Sequence, residues 1–176
     1  MIDSLIRSKT RIKLLLKFFL NSKNKGYLRG LEKDFGESTN AIRIELNRFI
    51  KAGLLKSQLV GNKRIYQANT NHPLYSDINS IVRKTVGIDK IIDRVTSQIG
   101  DLEKAYLTGK FASGIDSDTV ELILVGKNPD TIFIDKLISK AEKLINRKII
   151  YLVLTSEKMQ HFYKDQPVLL IWQKDE

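Results

Sequence analysis

Five polar side chains between residues 40 and 51, Asn40, Arg43, Asn47, Arg48 and Lys51, are spaced so that a helix would carry them together on one side. Their chemistry suits the surface of a nucleic acid. An asparagine can bond adenine through both amide atoms, an arginine can grip O6 and N7 of guanine as a fork, and Lys51 is placed to neutralise a phosphate. Ile44 stands beside them, while Ala41, Ile42, Leu46, Phe49 and Ile50 supply the opposite, apolar side. An amphipathic helix with an ordinary solvated face would show the same residues, so the flanking chain has to decide between the two readings.

The stretch Tyr27 to Leu55 reads as two short helices about a tight turn. Leu28, Leu31 and Phe35 recur at i, i+3 and i+7, and Gly36 follows where a left-handed C-terminal cap would sit. Ser38 or Thr39 then offers a hydroxyl to the unpaired N–H groups that open the second helix, and Gly53 stops it. Upstream, Thr10 to Asn21 is predicted to be a helix burying Ile12, Leu15, Leu16 and Phe19. Leu14 and Phe18 widen its apolar surface, so it must be covered on two sides. A polar connector, NSKNKG, joins it to the helix pair. Downstream, Leu54 to Ala68 alternates apolar and polar residues about Gly61-Asn62, a dipeptide typical of tight hairpin turns, and places Lys63 and Arg64 at the tip. Two cations on a surface loop carry little meaning alone, but beside the helix pair they extend one basic surface.

The 176-residue chain carries a formal charge of +10, distributed unevenly. Residues 1–90 hold 18 Lys+Arg against 7 Asp+Glu, a net +11, whereas residues 91–176 hold 12 against 13, a net −1. Charge confined to one half argues for a polyanion-binding module joined to a neutral one. Hydrophobic content of 42% is enough for a folded core. With no cysteine, disulfides and thiolate metal sites are excluded, and His72 and His161 lie too far apart in sequence to suggest a zinc site. Lys13 and Lys17 interrupt the apolar run LLLKFFL near the N-terminus, and no small-residue cleavage site follows it. No run approaches the roughly 18 apolar residues needed to span a bilayer, so a cytoplasmic protein without a membrane partner is expected.

Three helices followed by a hairpin with a basic tip is the element order of a winged helix-turn-helix. Residues 8–87 resemble the ArsR- and MarR-like winged-helix transcriptional regulators, with STNAIRIELNRFIKAGLL as the helix-turn-helix and VGNKRIYQAN as the wing. More specifically, the segment GNKRIYQANTNHPLYSDINSIVRKTVG is similar to a subgroup in which the wing leads through a His-Pro-Leu-Tyr turn, here His72 to Tyr75, into a helix ending Lys-Thr-Val-Gly, here Lys84 to Gly87. His72 is accordingly a turn residue. The resemblance implies double-stranded DNA as partner, with Ser38, Thr39, Asn40, Arg43, Asn47, Arg48 and Lys51 on the recognition element and Lys63 and Arg64 on the wing. In that subgroup a nucleotidyltransferase-like domain comes next.

Pro73 opens a helix with Ile78, Ile81 and Val82 on one face, closed by Gly87, and a second helix over Ile88 to Ile99 carries Ile88, Ile91, Ile92, Val95 and Ile99. That stripe would pack either on the C-terminal domain or against a second copy of the chain, since such proteins commonly read two half-sites as homodimers. The remainder alternates strand and helix: strands over Lys104 to Thr108, Thr119 to Val125, Ile149 to Leu154 and Val168 to Gln173, and helices over Asp135 to Arg147 and Glu157 to Tyr163. A small mixed sheet covered by helices is expected.

Residues 107–126, LTGKFASGIDSDTVELILVG, resemble the minimal and kanamycin-modifying nucleotidyltransferases, in which a glycine turn and a serine hold a triphosphate and an Asp-x-Asp strand holds two Mg²⁺. Gly109 occupies the turn, Phe111 and Ala112 the short helix, and Glu121 the second carboxylate position. Lys110 stands in place of the serine and Thr119 in place of the first carboxylate, and the later strand IIYLVLT offers no acid. Asp116, Ser117 and Asp118 read as turn residues. The resemblance therefore implies a pseudoenzyme domain with no catalytic residue, metal or cofactor. Gly109, Lys110 and Glu121 remain as candidates for a nucleotide or anion ligand.

The expectation is an α+β protein: a winged helix-turn-helix over 1–72, a helical linker or dimerisation segment over 73–100, and a small nucleotidyltransferase-like α/β domain over 101–176. The function implied is sequence-specific transcription regulation on double-stranded DNA, with the C-terminal domain as a non-catalytic interaction or ligand-sensing platform. The alternative is a nucleotidyltransferase, or an antitoxin-type nucleotidyltransferase-like protein, acting on a protein or nucleic-acid partner.

Overall fold

A computed structural model describes residues 6–127 and 129–174. The chain is a mixed α+β protein that divides into two compact units, Met1–Thr85 with Gly114–Asp116, and Val86–Ser113 with Ser117–Glu176. The helical segment expected to link two domains is thus shared between them.

In the first unit, α1 (Lys9–Leu15) is capped by the Ser8 hydroxyl, which accepts from the Arg11 N–H, and it runs on into a π-helical turn over Leu16–Leu20. Leu14, Phe18, Phe19 and Leu20 are essentially inaccessible, so both sides of this segment are covered, as its width of apolar surface requires. A two-residue strand β1 (Lys25–Gly26), hidden within the polar connector, leads to α2 (Leu28–Phe35) and α3 (Thr39–Lys51). Strands β2 (Leu55–Val60) and β3 (Lys63–Ala68) form an antiparallel hairpin whose two-residue loop has Gly61 at φ 59°, and β1 pairs with β3 on its other edge. Burial alternates on β3 near its base, but Leu59 and Val60 at the end of β2 are 74% and 55% exposed. The alternation in sequence therefore marks a projecting ribbon, with no core beneath its tip.

The turn at His72 is as expected: its Nδ1 accepts from the Leu74 N–H and its Nε2 lies 3.2 Å from the Ala52 carbonyl oxygen. Helix α4 (Tyr75–Val86) follows. Val82 is buried, but Ile81, expected on the same face, is 50% exposed. Gly87, at φ 91°, separates α4 from α5 (Ile88–Arg94).

The second unit begins with α5, which is shorter than the helix expected over Ile88 to Ile99. Val95 departs from helical geometry at φ −109°, and a 3₁₀ turn over Thr96–Gln98 follows. The cause is local: Val95 and Thr96 are both β-branched, and the Thr96 hydroxyl donates back to the Ile92 carbonyl. Strands β4 (Leu102–Thr108), β5 (Thr119–Gly126), β6 (Lys148–Leu154) and β7 (Leu169–Gln173) form a mixed sheet in the order β6-β5-β4-β7, parallel only between β5 and β6. A one-turn helix α6 (Gly109–Ala112) sits between β4 and β5, α7 (Thr131–Ile145) between β5 and β6, and α8 (Ser156–Phe162) between β6 and β7. Helix α7 starts four residues before the expected Asp135, because the Asp130 carboxylate caps it by accepting from the Phe133 N–H. The stripe of α5 packs on α7, so the chain itself covers Ile88, Ile91 and Val95.

Candidate nucleic-acid interface

Helix α3 is positioned by what it buries. Ile42, Leu46 and Phe49 enter the core of the first unit against α1, α2 and β2, and Ala41 and Ile50, expected with them, are only half-buried. Between α2 and α3 the chain reverses at Gly36, whose φ of 61° is a conformation that an L side chain disfavours. The Gly36 N–H donates to the Glu32 carbonyl, and the Ser38 hydroxyl accepts from the Ala41 N–H, so Ser38 is the capping residue and Thr39 the first residue of the helix. Asn40, Arg43, Ile44, Asn47, Arg48 and Lys51 are all exposed. The residues expected to face a partner therefore do share the open side of α3.

Glu45 is the residue the sequence pattern missed. Although charged, it is 5% exposed on the same helix. Its carboxylate accepts from Arg11 Nε at 2.9 Å and Arg11 Nη2 at 3.3 Å, from the Ser8 hydroxyl at 3.2 Å and from Arg48 Nη1 at 2.9 Å. Burial works to raise its pKa, but the hydrogen bond and charge of Arg11, with Arg48 and Ser8, outweigh it and hold the carboxyl below its ordinary value. Arg48 is consequently tethered at one nitrogen while its side chain stays 60% exposed. From α1, Lys13 donates to Glu37 and to the Phe35 carbonyl, both at 2.7 Å, fixing the turn between α2 and α3 onto α1. That bond, against a smaller burial effect, holds Glu37 below its ordinary pKa.

The hairpin adds a second basic surface in this unit. The Lys63 ammonium lies 4.7 Å from the centre of the Tyr27 ring, at the entry to α2. Tyr27, Arg29, Asn62, Lys63, Arg64 and Tyr66 line one shallow groove. Tyr27 and Arg29 were not foreseen as part of this surface. They join it through the pairing of Gly26 with Tyr66, a contact forty residues apart in sequence with no local signal. Lys63 and Arg64 are exposed, and neither takes part in an ion pair among the described residues.

In the second unit, the structure brings Gly109 and Glu121 together. Thr108 on β4 pairs with Glu121 on β5, and Gly109, at φ 61°, turns the chain into α6 directly over that carboxylate. A Cβ on Gly109 would lie 2.1 Å from Glu121 Oε1. Lys110 is exposed beside this turn. Ser117 and Asp118 anchor the strand that carries Glu121: the Ser117 hydroxyl accepts from the Thr119 N–H, and the Asp118 carbonyl from the Lys148 N–H. Among the described residues, no three His, Asp or Glu side chains are grouped so as to hold a metal ion. Without such a group around Glu121, the turn does not fit a two-metal site, whose ions need several carboxylates aimed at one point.

Among the described residues no helix is long and apolar enough to cross a membrane. No protein-family model matches the chain, and no curated protein matches it.

Proposed function

We propose that this protein is a sequence-specific, double-stranded-DNA-binding transcription regulator whose first unit is a winged helix-turn-helix. The observation that carries the reading is that one unit presents both an exposed polar face on α3, with Asn40, Arg43 and Asn47, and a projecting hairpin with Lys63 and Arg64. The helix would enter the major groove and the hairpin would act as the wing along the phosphates. The net +11 of residues 1–90 supplies the sequence-independent attraction to a duplex. Binding as a homodimer would place two such helices on two half-sites.

We read the second unit as a nucleotidyltransferase-like domain acting as a non-catalytic platform. Thr119 stands where the first carboxylate of such enzymes belongs and β6 carries no acid, so Glu121 lacks the partners that two-metal transfer needs, which supports this over the transferase reading. In vitro selection of DNA from a random pool by the full-length protein tests the whole reading. An enriched motif, with two half-sites where a dimer binds, is the expected result. Retention of duplex at low salt no greater than that of a neutral control protein would overturn it. Incubation with labelled nucleoside triphosphates tests the platform, since transferred label would restore the transferase.

A further inference from the structure

Ile44 is out of place. It is 43% exposed on α3, where the buried residues are Ile42, Glu45, Leu46 and Phe49. At about 100° per residue it lies within roughly 40° of the direction opposite that buried stripe, close to the middle of the outward face. Asn40 stands one turn before it and Asn47 one turn after, and Arg43 is its immediate neighbour. Ile44 stands outside the buried core, is a weaker helix former than the lysine, glutamine or arginine that would suit a solvated position, and exposes a branched apolar surface amid polar ones.

The major groove offers one apolar group, the 5-methyl of thymine, at the depth where asparagine would meet the N6 and N7 edge of adenine. We propose that Ile44 is a thymine-reading residue, packing on a thymine 5-methyl in an A·T-containing step whose adenine edges are bonded by Asn40 or Asn47. This rests on the DNA-binding function proposed above and extends it to the class of base pair that α3 prefers. The stiffness of a β-branched side chain helps, because Ile44 meets the methyl with little rotamer freedom left to lose. Removing one methyl's worth of surface from water corresponds to roughly a fourfold gain in affinity, enough to set a preference for thymine without dominating binding.

The test uses the full-length protein and the duplex it enriches from a random pool. Each thymine is replaced singly by deoxyuridine, which lacks only the methyl, and affinity is followed by fluorescence anisotropy. The expected result is one thymine in each half-site at which deoxyuridine weakens binding by about fourfold. In Ile44→Ala, whose exposed position leaves the fold intact by circular dichroism, thymine and deoxyuridine should bind equally at that position. An enriched duplex in which no thymine responds to loss of its methyl overturns the inference and leaves the DNA-binding reading standing. So does a thymine preference that persists unchanged in Ile44→Ala. Failure to enrich any duplex overturns both.

Discussion

Glu45 decides how α3 is held. It is a buried carboxylate on the helix whose opposite side carries the candidate base-reading residues, and it ties that helix to α1 through Arg11 and to its own next turn through Arg48. Removing its charge would leave two guanidinium groups with one amide oxygen in place of a carboxylate, but their side chains are 37% and 60% exposed and can turn to water. Glu45→Gln should therefore cost roughly 1–3 kcal/mol at neutral pH, less than a fully buried pair would. The pH dependence has a definite sign. The folded-state pKa is depressed below 4.5, so the stabilisation is fully present above that value and is lost as pH falls through the folded-state pKa. Urea unfolding should show a clear gap between parent and Glu45→Gln at pH 7 that narrows at pH 3, and a gap that stays constant would mean the carboxylate is not held as described. Arg43 and Asn47 should behave differently, because both are exposed and in the proposed reading serve the duplex rather than the fold. Arg43→Ala or Asn47→Ala should leave stability unchanged, cost about 1–3 kcal/mol on the preferred duplex and relax the base preference there. Unaltered affinity of both variants for that duplex would remove α3 as the reading helix.

Among the elements, the turn from β4 into α6 shows how one side chain can close a cradle. Gly109→Ala introduces two costs, a left-handed backbone and a Cβ driven into the Glu121 carboxylate, whereas Gly36→Ala introduces only the first, since nothing lies within 4 Å of a Cβ there. The Gly36 change should destabilise by about 1 kcal/mol and the Gly109 change by appreciably more. Adding Glu121→Ala to Gly109→Ala should recover the excess but not the backbone cost, and a double-mutant cycle by chemical denaturation measures that coupling. Strict additivity of the two changes would show that the carboxylate does not occupy the turn. How far the sequence disclosed these elements follows from the range of the forces that made them. The pair α2 and α3, the hairpin at Gly61-Asn62 and the four strands of the larger sheet were legible because periodicity and turn residues are local. Burial of Glu45 was not, for Arg11 lies 34 residues away. Strand β1 exists only because β3 pairs with it. The early start of α7 hid behind Ile132 and Phe133, which are 69% and 40% exposed and break the apolar period, although the Asp130 cap was there to be read.

On the scale of the whole molecule, the decisive property is where the charge resides. The +11 of residues 1–90 belongs to the half that carries α3 and the hairpin, while residues 91–176 are close to neutral because their cations are matched by acids. If a duplex is bound by the first unit alone, only that unit's cations release counterions on binding, and the salt dependence of affinity counts them. Lys63→Gln and Arg64→Gln should each lower the slope of log affinity against log salt by about 0.9, the value for one phosphate left without its cation, with little change in sequence preference. Lys140→Gln and Lys143→Gln, exposed on α7 and equal to them in charge removed, should leave the slope where it was. Anisotropy titrations between about 50 and 200 mM salt distinguish the two pairs, since each phosphate so released changes the affinity ratio across that range by roughly threefold to fourfold. Equal effects from both pairs would mean that the duplex responds to overall charge, and the assignment of binding to the first unit would fail even if affinity were high.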